Sequence, residues 1–352
     1  MHVCLVFSLL LVGLTACTQP QPVATPSARP AQLPIQPTKV GQRTNPTPNM
    51  APRGPRLPGR LVFVTGGNLW VWEKDSARQL TFAGDAAQPA LSPDGTQLAF
   101  VLRHPSASDI ALLSLNGGEP LLLTNYASSQ PIGSLERVYE SMWAFYPSFS
   151  PDGSQLVFAS QGGPPTGSPA SEYRLSLFLI DTQAESARSQ IFAEYGVSVG
   201  HSVFTPDGKA VLFAYHPDSN TPSRIYSLDM QSYVATPLAS APEQSYDPAI
   251  SPDGRWLAYA ARTSAGTSVF VTSMAETGAP AQRVGDFIAA RAPVFSPDGK
   301  HLAFLASIPG ERGFDLWFAD LAEDKQAGIK LTQLQRITSD LMIDADSGLS
   351  WR

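Results

Sequence analysis

Short runs of apolar residues recur along most of the chain, and turn-forming polar segments separate them. The pattern is clearest in five runs: Leu98-Ala99-Phe100, Leu156-Val157-Phe158, Val211-Leu212-Phe213, Leu257-Ala258-Tyr259 and Leu302-Ala303-Phe304. Near-continuous apolar runs of this kind are typical of β-strands covered on both faces, whereas half-exposed strands alternate. The pattern therefore predicts an all-β fold in which each sheet packs between neighbours.

A four-residue turn, Ser-Pro-Asp-Gly or Thr-Pro-Asp-Gly, stands directly before each of these runs. Pro presets the first corner of a tight turn, and Asp bonds back to nearby amides. Gly accepts a left-handed conformation that costs other residues roughly 1–2 kcal/mol. We interpret the turn residues as structural; they are Asp94, Gly95, Asp152, Gly153, Asp207, Gly208, Asp253, Gly254, Asp298 and Gly299.

The turns mark a repeat, because their aspartates are spaced by 58, 55, 46 and 45 residues. Periods of about 40–50 residues built from short strands are typical of propeller blades. Within each period a first strand precedes the turn and a second follows it. A third strand and a weaker fourth complete the unit, as in Ile110-Ala111-Leu112-Leu113 and Leu121-Leu122-Leu123-Thr124.

A sixth copy of the repeat is divided between the two ends of the chain. Its second, third and fourth strands are Leu61-Val62-Phe63-Val64, Leu69-Trp70-Val71-Trp72 and Gln79-Leu80-Thr81, and its first strand is Gly348-Leu349-Ser350-Trp351. We therefore predict that residues 60–352 form a six-bladed β-propeller of four-stranded antiparallel blades. Pairing of the N- and C-terminal strands would close the ring and leave no exposed inner edge.

The Ser-Pro-Asp-Gly turn before an apolar strand, with Leu-Thr ending a repeat, resembles the WD-like repeat of the TolB-family β-propeller. The resemblance covers nearly all of residues 60–352. Such repeats occur in periplasmic scaffolds, peptidase propellers and lyases, so the resemblance implies a fold rather than one function. TolB also has an N-terminal α/β domain, and a Pro-rich segment takes its place here; the chain is not expected to be TolB itself.

The first residues resemble a bacterial lipoprotein signal. Residues 5–14 form an apolar run that is too short to span a bilayer. The run ends in Leu14-Thr15-Ala16-Cys17, which resembles a lipobox. We predict that residues 1–16 are a cleaved signal peptide and that Cys17 is lipidated; an ordinary signal peptide is the alternative. The mature chain would then contain no disulfide.

A Pro-rich tether follows over residues 17–59. It contains 11 Pro among the 42 positions from 18 to 59, five basic residues and no acid. This composition predicts disorder. Because the whole chain has a formal charge of −6 and the tether contributes +5, residues 60–352 carry −11. These charges suit a domain above an anionic membrane, although solvation explains them equally, and the acidic domain argues against nucleic acid.

Signals for catalysis or metal binding are weak. Gly196-Val197-Ser198-Val199-Gly200 matches G-x-S-x-G, but a hydrolase needs that motif between a strand and a helix, so we interpret the match as chance. The histidines are scattered, and no Cys accompanies them in the domain. The sequence therefore predicts neither a metal nor a cofactor, while a site assembled from different blades stays an alternative.

Loop lengths distinguish the two faces of the predicted disc. The constant turns lie on one face, called the turn face here, and the variable connections lie on the opposite loop face, where binding is expected. In the longest connection, residues 125–146, a helix is predicted to begin near Ser134. Its apolar stripe contains Leu135, Val138, Tyr139, Met142 and Trp143. The stripe would dock a partner or pack on the propeller rim.

Residues just ahead of the first strands are expected to ring the central channel on the loop face. By position they are Gln88, Tyr146, His201, Asp247, Arg291 and Asp346. This mixture suits a small polar ligand or a peptide terminus, and it equally suits a hydrated rim.

Together these observations predict a monomeric, non-enzymatic propeller, lipid-anchored to the membrane in the periplasm or at the cell surface. Its expected partner is a protein, peptide or other component of the cell envelope. One alternative is binding of a small ligand, such as a carbohydrate, in the channel. The other is a propeller hydrolase or lyase.

Overall fold

The structure is a computed structural model that describes residues 53–167, 174–182, 187–217, 221–275, 279–324 and 328–352. The predicted signal peptide, Cys17 and most of the predicted tether lie outside the described residues. The first strand begins at Arg53, before residue 60, where the domain was predicted to start. Leu57 explains the earlier start, because its side chain is buried in an apolar cluster.

Strands make up most of the described chain. They are β1 (Arg53–Thr65), β2 (Asn68–Gln79), β3 (Ala86–Leu91), β4 (Gln97–Arg103), β5 (Ser108–Ser114), β6 (Leu121–Leu122), β7 (Ala144–Phe149), β8 (Gln155–Ser160), β9 (Ser176–Asp181), β10 (Ser189–Phe192), β11 (Ser198–Phe204), β12 (Ala210–His216), β13 (Arg224–Asp229), β14 (Ala235–Pro237), β15 (Ser245–Ile250), β16 (Trp256–Thr263), β17 (Gly266–Ser273), β18 (Gln282–Arg283), β19 (Ala289–Phe295), β20 (His301–Ser307), β21 (Asp315–Asp324), β22 (Gly328–Arg336) and β23 (Ser350–Trp351). A short helix, α1 (Leu135–Glu140), lies between β6 and β7. No helix in the described ranges has the length and apolar character needed to cross a membrane.

Within each repeat, consecutive strands pair antiparallel, which confirms the predicted all-β class and the four-stranded units. Strands β3–β6, β7–β10 and β11–β14 each form a four-stranded sheet. Strands β15–β22 form one eight-stranded sheet, which contains a single parallel pair, Thr267 with Ala289, between β17 and β19. Strands β2, β1 and β23 form a three-stranded sheet, in which Leu61 pairs with Trp351 and Val62 with Ser350.

The first sheet differs from the prediction at two edges. The predicted fourth strand at residues 79–81 is reduced to one backbone bond, from the Leu80 amide to the Leu69 carbonyl at 2.7 Å, because the Leu69 amide donates to the Thr81 hydroxyl at 2.9 Å rather than to a backbone carbonyl. The C-terminal strand is also shorter than predicted and begins at Ser350. Gly348 adopts a φ of 70°, a left-handed conformation that interrupts the extended chain.

The core consists of apolar clusters that lie between successive sheets. One cluster joins β1 and β2 to β3, β4 and β5, and another joins β1, β2 and β23 to β19, β20 and β21. Because sheets cover it on both sides, β4 buries five consecutive side chains, at residues 98–102. This burial explains why the apolar runs of the sequence are continuous rather than alternating.

The Ser, Asp and Gly residues of the repeated turn each help to fix its conformation. In the first turn the Ser92 hydroxyl donates to Asp94 Oδ1 at 2.6 Å, the Thr96 amide donates to the same oxygen at 3.0 Å, and Gly95 has a φ of 67°. The equivalent bonds from Ser150 and Ser154 lower the pKa of Asp152 to about 2. The turn aspartates therefore act as hydrogen-bond acceptors that stay ionised at neutral pH.

Successive turns also contact one another on the turn face. A Cβ placed on Gly153 would lie 3.5 Å from Pro93 Cδ, and the same relation holds from Pro151 to Gly208, from Pro206 to Gly254 and from Pro252 to Gly299. At the ends of this row, Pro297 lies against Gly59, and Arg60 Nη1 donates to the Gly95 carbonyl at 2.6 Å. The turns thus pack as one continuous row.

Candidate binding site on the loop face

The structure brings together the residues predicted to ring the channel. We call Gln88, Tyr146, His201, Asp247, Arg291 and Asp346 the mouth cluster; all except Arg291 line one small cavity, and Arg291 bonds to two of them. Their predicted place ahead of the first strands is wrong. Five of them lie inside those strands, and Asp346 lies in the segment before β23.

Their position inside the strands follows from a β-bulge that recurs in each first strand. The pairing of β3 with β4 skips between Ala87 and Ala90, and the same skip occurs in β7, β11, β15 and β19. Gln88, Tyr146 and Asp247 adopt φ values of 49°, 54° and 50° at this point. A bulge re-aims side chains that a regular strand would send elsewhere, and here it directs several of them to one site.

One half of the mouth cluster is a paired ionic network. Arg291 Nε donates to Asp247 Oδ2 at 3.0 Å, and its Nη1 donates to Asp346. The Ala292 amide also donates to Asp247 Oδ2, at 3.2 Å. Burial alone would lower the pKa of Arg291, but the carboxylates of Asp247 and Asp346 outweigh it and raise that pKa. The guanidinium is therefore charged and already has anionic partners.

The other half is neutral and aromatic. The Tyr146 amide donates to Gln88 Oε1 at 2.8 Å, and the Tyr146 and His201 rings lie 6.0 Å apart. Burial lowers the pKa of His201, which the carboxylate of Asp247 opposes, so the imidazole is neutral at pH 7. Burial likewise raises the pKa of the Tyr146 hydroxyl. Both rings thus present hydrogen-bonding groups without charge.

The cavity between these residues has a volume of about 20 Å³. That space holds about one water molecule and is too small for a sugar ring. Over the described part of the chain, no three His, Cys, Asp or Glu side chains are grouped closely enough to hold a metal ion. As folded, the mouth cluster is a small, largely satisfied polar site.

Helix α1 lies on the same face and begins where the sequence predicts. Ser134 is its N-cap, and the Ser134 hydroxyl accepts a hydrogen bond from the Arg137 amide at 3.2 Å. The predicted stripe through Met142 and Trp143 is wrong, because Ser141 is extended and ends the helix at Glu140. Met142 is instead buried between sheets, and Trp143 stacks on Phe145 with ring centroids 6.0 Å apart.

Three aliphatic side chains of this connection are exposed to solvent. Ile132, Leu135 and Val138, which we call the helix patch, are 76%, 66% and 37% exposed. Polar bonds hold the helix instead: Arg137 Nε donates to the Ser106 hydroxyl at 2.6 Å, and the Tyr139 hydroxyl donates to the Gly167 carbonyl at 2.7 Å. The structure therefore presents an apolar surface on a helix fixed by hydrogen bonds.

Comparison with known proteins identifies the fold. No family model matches the chain. The Bacillus subtilis (strain 168) protein described as "Uncharacterized peptidase YuxL" is 25% identical over 200 residues, which are 55% of this chain and 25% of that protein. TolB from Acinetobacter baumannii superposes with a TM-score of 0.60 at 19% identity, over 83% of this chain and 66% of that one. Putative TolB from Agrobacterium tumefaciens gives 0.52 at 17% identity, over 82% and 91%. The chain has a TolB-like β-propeller fold.

These similarities show that the chain has the fold of the TolB-like propeller. They do not show which activity it has. The chain spans a quarter of the length of the curated relative and just under two thirds of the Acinetobacter protein. At identities below 25%, the shared architecture is evidence for a scaffold, on which function depends on local sites.

The G-x-S-x-G match of the propeller has a structural explanation. Ser198 begins β11, and its hydroxyl accepts a hydrogen bond from the Leu175 amide at 3.2 Å. The motif thus runs into a β-strand, whereas a hydrolase nucleophile stands on a sharp turn between a strand and a helix.

The turn face, where the sequence analysis placed only the constant turns, also carries a groove. A groove of about 580 Å³, which we call the turn-face groove, lies there between β7–β10 and β11–β14. Sequence reasoning missed it because its walls come from two different sheets, Leu179 and Ile191 from one and Phe204 and Met230 from the other. The available signal was Tyr233-Val234, an aromatic and a β-branched residue in the connection between β13 and β14. Their side chains are 50% and 57% exposed.

Proposed function

We propose that the chain is an extracytoplasmic binding protein that recognises a protein or peptide of the cell envelope through its loop face, without catalysis. The observation that carries this proposal is the exposed helix patch. Single exposed apolar residues are common, but adjacent exposed aliphatic side chains on a fixed element are typical of protein-docking surfaces. The small mouth cluster, by contrast, is occupied by its own ion pairs.

The proposal includes a closed, monomeric ring of six blades as the frame for this surface. Three observations support closure: the pairing of β1 with β23, the apolar cluster shared by β1, β2, β19 and β20, and the row of turns that continues from Pro297 through Gly59 and Arg60 to Gly95. The divided sixth repeat of the sequence supplies the matching strands. A closed frame holds the loop-face connections in fixed relative positions.

Binding at the helix patch is tested by changing its charge. We expect the double variant Leu135→Asp/Val138→Asp to lose at least tenfold in capture of its partner from a solubilised envelope fraction, because two carboxylates would be placed in an apolar contact. The melting temperature should stay within about 2 °C of the unmodified protein, since both side chains are already exposed.

The control is Val234→Asp, which adds one carboxylate at a 57% exposed aliphatic side chain on the turn face. It should leave capture unchanged. Equal losses from both variants, or no loss from the helix-patch variant, would contradict binding at the loop face.

Membrane attachment is the remaining part of the proposal, and the lipobox-like sequence ending in Cys17 supports it. Cys17→Ser should move the protein from the membrane fraction to the soluble extracytoplasmic fraction, because no acyl chain can then be attached. Fractionation followed by intact-mass measurement checks both points. Cys4→Ser is the control, since Cys4 lies in the removable segment; an unmodified Cys17 in the purified protein would contradict the anchor.

A further inference from the structure

The turn-face groove has the size and the lining of a pocket for a small polar ligand. Its volume of about 580 Å³ falls within the range of roughly 300–1,000 Å³ that is usual for pockets that hold small molecules. Leu179, Ile191, Phe204 and Met230 give it apolar walls, and Tyr233 lines it while half exposed. Polar side chains also line it, and they are those of Ser150, Asp152, Gln155, Asp181, Ser189 and Asp207.

The backbone at Tyr233 has a conformation that an aromatic residue rarely adopts. Its φ is 55°, a left-handed value at which the Cβ of any residue other than glycine is crowded by a backbone carbonyl. The turn is fixed by Asp229, whose carboxylate accepts a hydrogen bond from the Ser232 amide at 2.7 Å. The corresponding connection between β5 and β6 has glycines at positive φ, Gly117 and Gly118. A large aromatic side chain at a position where glycine is less strained indicates a role other than stability.

The carboxylates of the groove retain hydrogen-bonding capacity, although each already has a partner. Asp152 accepts three bonds from its own turn, all of them on Oδ1. Gln155 Nε2 donates to Asp181 Oδ1 at 2.9 Å, and Asp207 pairs with Lys209 Nζ at 3.6 Å. Because one carboxylate can accept about four bonds, the groove offers acceptors to a ligand rich in hydroxyl donors. The existing partners offset part of the negative charge, which weakens attraction for a cation and leaves a rim that still disfavours an anion.

Sugars combine the two features that this lining complements. The C–H groups on one face of a pyranose ring pack on an aromatic face, whose π-electrons are partly negative. The hydroxyl groups at the edge of the same ring donate to carboxylate, amide and hydroxyl oxygens. A neutral sugar therefore uses both the Tyr233 ring and the polar side chains of the groove.

We propose that the turn-face groove binds a neutral carbohydrate. Tyr233 is the stacking platform, and Asp152, Gln155 and Asp181 accept hydrogen bonds from the sugar hydroxyls. The groove and the helix patch lie on opposite faces, so a bound sugar leaves the helix patch open to a partner. The proposal is therefore independent of the proposed function.

Isothermal titration calorimetry of the full chain tests the site with four neutral tetrasaccharides: chitotetraose, maltotetraose, cellotetraose and mannotetraose. We expect at least one of them to bind. Tyr233→Ala should raise its Kd at least tenfold, and Tyr233→Phe should raise it no more than threefold, because phenylalanine keeps the ring face. The matched control is Tyr195→Ala, which removes an 89% exposed aromatic ring in the connection between β10 and β11 and should leave the Kd unchanged.

A stability measurement separates ligand binding from a structural role of the ring. Tyr233→Gly removes the ring and adopts a φ of 55° without strain, so the melting temperature should stay the same or rise while sugar binding is lost. A marked fall in melting temperature would show that the ring is structural and would overturn the proposal.

Three outcomes of the titrations would also overturn the proposal. They are no binding of any of the four tetrasaccharides, equal losses from Tyr195→Ala and Tyr233→Ala, and tighter binding of spermidine than of every sugar. The last result would identify the groove as a site for an organic cation instead.

Discussion

Deletion of residues 348–352 should lower the free energy of unfolding by more than about 5 kcal/mol. Trp351 is fully buried, its Nε1 donates to the Pro58 carbonyl at 2.6 Å, and it packs in the cluster shared by β1, β2, β19 and β20. Truncation of one buried aromatic side chain costs about 3–5 kcal/mol. The deletion also removes the pairing of β23 with β1, which leaves the Leu61 and Val62 backbone without partners on that side.

Urea unfolding followed by circular dichroism measures this loss on the full chain and on the deleted chain. Met342→Ala is the control within the same C-terminal segment, because that side chain is 63% exposed and its removal should change little. Unchanged unfolding after deletion of residues 348–352 would rule out ring closure through β23.

Arg291→Met should destabilise the protein by about 3–5 kcal/mol, although the side chain lies at the mouth cluster and not in the apolar core. The side chain of Asp247 is 11% exposed and accepts hydrogen bonds from the Arg291 guanidinium and the Ala292 amide. Removal of the guanidinium leaves a mostly buried carboxylate without its cation. Removing one partner of a buried ion pair destabilises a protein more than replacing both. Calorimetric or urea unfolding at pH 7 measures the effect.

The double variant Asp247→Asn/Arg291→Met should recover a large part of that loss, because it removes the unpaired charge together with its partner. Arg103→Met is the matched control: Arg103 pairs with Asp344 at 3.3 Å, but its side chain is 47% exposed. Exposed pairs contribute about 0–1 kcal/mol, so this variant should be nearly neutral. If Arg103→Met and Arg291→Met had equal effects, the mouth cluster would not be a buried ionic network.

The strands and turns could be predicted from the sequence, because the residues that form each of them lie close together within one repeat. Pro, Asp and Gly in the turn at residues 93–95 act within a few residues of one another, and the following run is apolar because β4 is covered on both sides. The mouth cluster was predicted as a group from its place in the repeat. Its exact location was not, since the bulge at Gln88 depends on pairing with β4.

Features that depend on contacts between distant segments could not be predicted. The apolar spacing from Leu135 to Trp143 is helical, yet the chain leaves the helix at Ser141, and Met142 then packs between two sheets. The turn-face groove likewise arises where Phe204 and Met230 of one sheet meet Leu179 of another. Neither the end of the helix nor the groove is marked by a periodic pattern in the sequence, because each follows from how separate sheets pack.

The repeated turns and the helix patch differ in what their side chains contact. The turn aspartates accept hydrogen bonds within their own turns, and the turn prolines pack on the next glycine, so these residues build the frame. The helix patch performs no such structural task, because Ile132 and Leu135 are largely exposed. The helix patch is therefore the surface at which we propose that a partner binds.

Hydrogen–deuterium exchange on the full chain, with and without its captured partner, tests binding through the loop face most directly. Bound partner should slow exchange in residues 131–143 and in the connections around the mouth cluster. Exchange should stay the same in the turns at residues 92–95, 150–153, 205–208, 251–254 and 296–299. Slower exchange confined to those turns, with residues 131–143 unchanged, would contradict binding through the loop face.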